Sequence, residues 1–89
     1  MVKVVVYSTR YCGYCVAAKH LLTAKGVEFE ELAVDRSPQL REQMQALTGR
    51  TSVPQIFIAD QHVGGYRELA QLEQDGELDE LLTSAGECD

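Results

Sequence analysis

The sequence has no run of lysines or arginines, no apolar stretch near the length of a membrane span, and no second pair of closely spaced metal ligands to match its Cys-x-x-Cys. Each absence removes a class of function. Eight basic residues against 14 acidic ones give a net charge of −6, so a nucleic-acid backbone would be repelled over most of the surface. The apolar run "VVVY" after Lys3 is too short for the hydrophobic core of a secretory leader. No membrane association is therefore expected, and the cytoplasm is the expected compartment. In a reducing cytoplasm a permanent disulfide is disfavoured, which leaves Cys12 and Cys15 to cycle or to hold metal. A structural zinc needs four ligands, and the remaining candidates, Cys88, His20 and His62, form no second pair. Both histidines read better as solvent-exposed side chains, so no metal site is expected.

What is present describes a folded chain. Its 89 residues suffice for one core and not for two, so residues 1–89 read as a single domain, ending in a flexible tail over about 85–89 that carries Cys88. In that tail, "SAGECD", neighbouring acids disfavour the Cys88 thiolate. Acidic residues concentrate late, in "ELAQLEQDGELDELL", whereas Lys3, Arg10, Lys19 and Lys25 lie in the first third, around the cysteine pair. That end of the molecule should be less negative and suited to an anionic substrate.

The apolar run at Val2 to Tyr7 predicts a first strand buried on both faces. From Tyr14 to Lys25, Ala17, Ala18, Leu21 and Leu22 recur at helical spacing, and Gly26 stops the pattern. "VEFEELAV" alternates Val27 and Phe29 with Glu28 and Glu30, a second strand, parallel to the first as in a βαβ unit. Ser37 and Pro38 start a helix whose buried stripe is Leu40, Met44 and Leu47, ended by Gly49. "QIFIA", a turn at "DQ" and "HVGG" form an antiparallel hairpin. Leu69 with Leu72, and Leu78 with Leu81 and Leu82, mark two terminal helices divided near Gly76. The expected fold is α/β, a thioredoxin-like β-α-β-α-β-β-α order with a central four-stranded mixed sheet flanked by helices.

In that order Cys12 stands just before the first turn of a helix, where unpaired N–H groups and the helix dipole favour negative charge. It is the expected attacking thiolate. Cys15 lies about one turn on, inside the helix, shielded yet within reach of the first sulfur, and is the expected resolving thiol.

Three elements now stand in register: "CGYC", "TSVPQIFI" and "HVGGYREL". Together they resemble the Cys-Pro-Tyr-Cys, Thr-Val-Pro and Gly-Gly-x-Asp elements of the glutaredoxin family, over nearly the whole chain. The resemblance implies a glutathione-dependent thiol–disulfide oxidoreductase, acting on protein disulfides and on glutathione mixed disulfides. It implies a cis Val53-Pro54 bond where the residues alone indicate a trans proline starting a strand. It also implies that Val53 offers its backbone to the substrate. By the same resemblance Tyr14 packs beside the glutathione cysteine, Ser52, Val53 and Pro54 flank the tripeptide, and Gly64 and Gly65, leading into Tyr66 and Arg67, receive the γ-glutamyl carboxylate. Two glycines before a helix also read as plain turn punctuation.

The departures are specific. Thr9 replaces the family's lysine, leaving Arg10, or Arg41 with Gln45, as candidates for the glycyl carboxylate, against a reading of these as solubilising residues. Arg67 reverses the charge of the family's Asp, with Glu68 as a stand-in. Gly13 replaces Pro and loosens the loop between the sulfurs. In the family, such sites are associated with a [2Fe–2S] cluster shared between two subunits, so a cluster-carrying dimer and a redoxin recharged by thioredoxin reductase stand as alternatives to a monomeric glutathione-dependent enzyme.

Overall fold

A computed structural model describes residues 3–87. The expected strand start at Val2, and Cys88, lie outside them. The chain runs β1 (Val4–Ser8), α1 (Gly13–Ala24), β2 (Glu30–Ala33), α2 (Pro38–Thr48), β3 (Gln55–Ile58), β4 (Gln61–Gly64), α3 (Tyr66–Gln74) and α4 (Glu77–Glu87). The four strands form one mixed sheet in the order β2-β1-β3-β4, with β1 parallel to β2 and antiparallel to β3, and β3 antiparallel to β4. This is the thioredoxin-like arrangement the element order predicts.

β1 lies between two strands and, as its unbroken apolar composition requires, serves both faces of the sheet. Val4 and Val6, with Ile56 and Ile58 opposite them, join Ala18 and Leu22 of α1, Leu69 of α3 and Leu78 of α4 in the larger core cluster. On alternate positions Val5 and Tyr7 join Val34, Leu40, Met44 and Phe57 under α2. α2 begins as its sequence dictates: the Ser37 hydroxyl accepts the Leu40 N–H at 3.3 Å, Pro38 opens the first turn, and Gly49 closes the helix in the left-handed region at φ 70°.

The structure corrects several boundaries. β2 starts at Glu30 rather than Val27, because the Val27 N–H turns back to the Leu22 carbonyl at 3.0 Å; Val27 and Phe29 still pack on the larger cluster. Leu47 does not complete the buried stripe of α2 but stays 56% exposed, at the rim of an open cleft with Val5, Tyr7 and Phe57. The hairpin turn falls one residue early, on Ala59 and Asp60, both at positive φ as a two-residue hairpin turn requires, with the Ala59 N–H held by the Lys3 carbonyl at 2.8 Å. β4 is therefore Gln61–Gly64, and Gly65 becomes the residue that caps α3. α4 continues to Glu87, past position 85 where the tail was expected to begin.

Candidate active site

The loop after β1 delivers Cys12 to the N-cap of α1, with an extended backbone (φ −108°, ψ 115°). Its sulfur accepts the Cys15 N–H at 3.3 Å, so one of the orphaned donors of the helix start is spent on it. The following turn, Gly13, Tyr14, Cys15 and Val16, is uncharged, and adds nothing to oppose negative charge on that sulfur. Across the chain, the Val53 carbonyl lies 3.7 Å from the Cys12 sulfur, where it accepts the S–H of the protonated form. Cys12 is half-buried and Cys15 is fully buried; both are free thiols. Burial, then the hydrogen bond to Cys12, pushes the Cys15 thiol up to about 12. Two cysteines of one motif are thus unlike: one sits at a helix start within reach of solvent, the other is a protonated thiol inside.

Beside Val53 runs a groove of about 240 Å³. Tyr14, Ser52, Val53, Pro54, Gly65, Tyr66 and Arg67, all singled out from the sequence, line it together with Arg50, Gln55 and Glu68. The Val53–Pro54 bond is cis. Tyr14 is more than half exposed and stacks on Tyr66, with ring centroids 6.2 Å apart. A larger depression of about 470 Å³ between β4 and α3 shares Arg67 and Glu68 with the groove but is lined by neither Tyr14 nor Val53. The groove that borders the sulfur is the one with chemistry beside it.

Two expected residues are placed elsewhere. Arg10 turns to Asp35, whose carboxylate accepts both its backbone N–H (3.3 Å) and its Nε (3.5 Å), and it lies over the exposed Tyr11 ring. Arg41 sits on α2, on the other side of the sheet from α1, and does not line the groove. The cations on the groove wall are instead Arg50 and Arg67. Arg50 escaped the sequence reading although it stands only two positions before Ser52; adjacency to the Thr51-Ser52-Val53-Pro54 segment was the available signal.

The Gly65 N–H, expected to be open to a ligand, is taken by the Glu68 carboxylate at 2.6 Å, and the same oxygen faces the Arg50 guanidinium at 3.4 Å. The Gly65 N–H, and after it Arg50, hold the Glu68 carboxyl below its usual range. His62 also departs from expectation. Its Nε2 lies 2.7 Å from the Gln55 Oε1 and its ring packs 5.1 Å from Phe57, so it is half-buried, and burial followed by the Arg50 charge lowers its pKa. His20 is exposed, as expected.

Comparison with known proteins bears directly on this geometry. The glutaredoxin family model matches residues 4–63, which span Cys12, Cys15 and the Val53–Pro54 segment. The chain belongs to the glutaredoxin family. It is 49% identical over 84 residues to a glutaredoxin of Pseudomonas aeruginosa, covering 94% of this chain and all of the relative. It is likewise 49% identical over 82 residues to glutaredoxin 3 of Escherichia coli, covering 92% of this chain and 99% of the other. Among solved structures, a buckwheat glutaredoxin–glutathione complex superposes with a TM-score of 0.87 at 31% identity, over 96% of this chain and 80% of that one. As a glutaredoxin the protein is a thiol–disulfide oxidoreductase.

Proposed function

We propose that this glutaredoxin uses glutathione to reduce protein disulfides and protein–glutathione mixed disulfides, with Cys12 as nucleophile and Cys15 as resolving thiol. The observation that carries the proposal is the Cys12 sulfur at the start of α1, hydrogen-bonded by the Cys15 N–H and bordered by Val53 at the edge of the groove. With a glutathionylated protein, the Cys12 thiolate attacks the glutathione sulfur, the old S–S bond breaks, and the protein leaves as its thiol after taking up a proton. A second glutathione thiolate then attacks the glutathione sulfur on Cys12, releasing oxidised glutathione and regenerating the Cys12 thiolate. With a protein disulfide, the Cys12 thiolate attacks one sulfur and frees the other, which takes up a proton; Cys15 then loses its proton, attacks the Cys12 sulfur and expels the second substrate sulfur as a thiol, leaving a Cys12–Cys15 disulfide that two glutathiones reduce to give oxidised glutathione.

In this reading the tripeptide lies along the groove. Val53 presents its backbone to it, Tyr14, Ser52 and Pro54 flank it, Arg67 with Arg50 supplies positive charge for its carboxylates, and Gly65 and Tyr66 open the helix start at the γ-glutamyl end. Glu68 leaves the Gly65 N–H when a ligand carboxylate arrives and turns to the ligand ammonium. Residues 1–89 act as one domain and as a monomer. Among the described residues no helix is long and apolar enough to cross a membrane, and a reducing cytoplasm is the compartment this chemistry implies.

One observation favours a second donor: the Gly65 N–H is already occupied by Glu68 and the neighbouring Arg67 carries the wrong charge for an ammonium. That arrangement weakens a glutathione site without touching the sulfur chemistry, and it fits recharging by thioredoxin reductase. Supplying glutathione with glutathione reductase, and separately thioredoxin reductase, to the oxidised protein decides between them. Reduction by glutathione is expected; reduction by thioredoxin reductase alone would replace the proposal. In the same assay Cys12→Ser should abolish turnover, while Cys15→Ser should retain exchange with glutathione mixed disulfides. For a [2Fe–2S] cluster shared between two subunits, each giving one cysteine and one glutathione, anaerobic reconstitution with glutathione and visible absorption are the test, and a colourless monomer counts against it.

A further inference from the structure

β3 is Gln-Ile-Phe-Ile, and its first residue is the anomaly: Gln55 is a polar side chain only 1% exposed, in a strand otherwise given over to the core. Burying an amide is tolerable only if both its ends are bonded, and here both are. The Gln55 Nε2 donates to the Ser52 carbonyl at 3.0 Å and to the Ser52 hydroxyl at 3.3 Å. That orientation turns its Oε1 to the Nε2 of His62, 2.7 Å away on β4, so the His62 ring donates from Nε2. The imidazole is itself wedged against Phe57, which makes it a fixed anchor and not a floppy partner.

The consequence lies in the peptide unit between Ser52 and Val53. Its carbonyl and its N–H belong to one rigid plane and, in a trans unit, point in opposite directions. Drawing the Ser52 carbonyl inward to a buried amide therefore turns the Val53 N–H away from the interior, on the residue whose carbonyl borders the Cys12 sulfur at 3.7 Å. We propose that Gln55, anchored by His62, is a positioning residue: it fixes the plane of the Ser52–Val53 peptide and so presents the Val53 N–H to the backbone of the substrate. This rests on the reading above, in which the Val53 edge receives glutathione.

Titration of the reduced protein with S-methylglutathione, which cannot exchange, followed by amide NMR, tests both layers. The Val53 N–H resonance is expected to shift on binding. Gln55→Met keeps length and shape but removes all three hydrogen bonds of the side chain, and should weaken binding about tenfold and raise the KM for a glutathionylated peptide by a similar factor. Its kcat and the rate of Cys12 alkylation by iodoacetamide should stay within about twofold, since the sulfur's own hydrogen bonds are untouched. His62→Phe, which keeps a ring against Phe57 without the N–H, should give a smaller loss in the same direction, and His62→Gln, whose amide can donate again, should recover it. Wild-type affinity in Gln55→Met and His62→Phe with an intact Val53 shift overturns the positioning role and leaves the glutathione reading standing. A fall in kcat and alkylation rate with KM unchanged also overturns it, because that is the signature of general loosening. Absence of a Val53 shift in the wild type overturns the reading on which the inference rests. If Gln55→Met does not fold, the His62 pair decides.

Discussion

The backbone N–H of Cys15 donates to the sulfur of Cys12 at 3.3 Å, so the residue proposed to resolve also helps hold the residue proposed to attack. The side chain of Cys15 meanwhile is sealed inside, at 0% exposure, with its thiol pushed up to about 12 by burial. One residue supplies a donor through its main chain and withholds a nucleophile through its side chain. The asymmetry follows from a three-residue offset at a helix start, which places one sulfur outside the helix and the next within its first turn.

Alkylation should read that asymmetry directly. In a Cys88→Ser background at neutral pH, iodoacetamide is expected to modify Cys12 at least about a hundredfold faster than Cys15, because only the thiolate reacts and Cys15 is both protonated and buried. Mass spectrometry of peptides from a short time course checks it; comparable rates would refute the division of roles.

The resolving step should depend on pH. Cys15 must lose its proton before it attacks, and burial, the largest cause that holds it protonated, persists when Cys12 carries a substrate, so release of that substrate should accelerate as pH rises above neutral. Stopped-flow measurement of the mixed disulfide in the wild type, against Cys15→Ser, isolates the step. The same thiol affects stability with a definite sign. Its folded value of about 12 lies above the ordinary thiol value of 9.0, so the proton it holds stabilises the fold fully below pH 9, and that contribution is lost as pH rises from 9 toward 12.

Two glycines of the site should respond in opposite ways to alanine. Gly64 has φ 117°, and a Cβ there would run into the Glu68 carboxylate that holds the Gly65 N–H. Gly64→Ala should cost about 1–3 kcal/mol and weaken glutathione binding. Gly13, by contrast, opens α1 with nothing within 4 Å of a Cβ, so Gly13→Ala should stabilise by about 0.5–1 kcal/mol. Urea denaturation of both variants tests the pair.

Glu68 should titrate below the ordinary glutamate range, mainly through the Gly65 N–H and secondarily through Arg50. Arg50→Met is therefore expected to raise its midpoint only part of the way, as read by carboxyl chemical shifts. A depressed carboxyl stabilises the fold above its unfolded value, and that stabilisation is lost as pH falls through the folded value. A full return to the ordinary range in Arg50→Met would show that the backbone bond contributes nothing.

Local chemistry in the sequence determined the strands and helices, the helix start that carries Cys12, and the order of the three elements by which the family is legible. Those features depend on neighbours within a turn or a strand: the apolar run of β1, Ser37 with Pro38, and the Cys-x-x-Cys spacing. Tertiary structure decided which charges meet the groove. Arg10 is drawn to Asp35, 25 positions away, and Arg41 rides on the opposite face of the sheet, while Arg50 and Glu68 meet from 18 positions apart. It also decided that His62 anchors Gln55 instead of facing water, because that contact exists only once β3 and β4 pair and close the sheet over Phe57. A long charged or polar side chain has many partners within its reach, and sequence spacing does not rank them; the packing of the sheet and helices does.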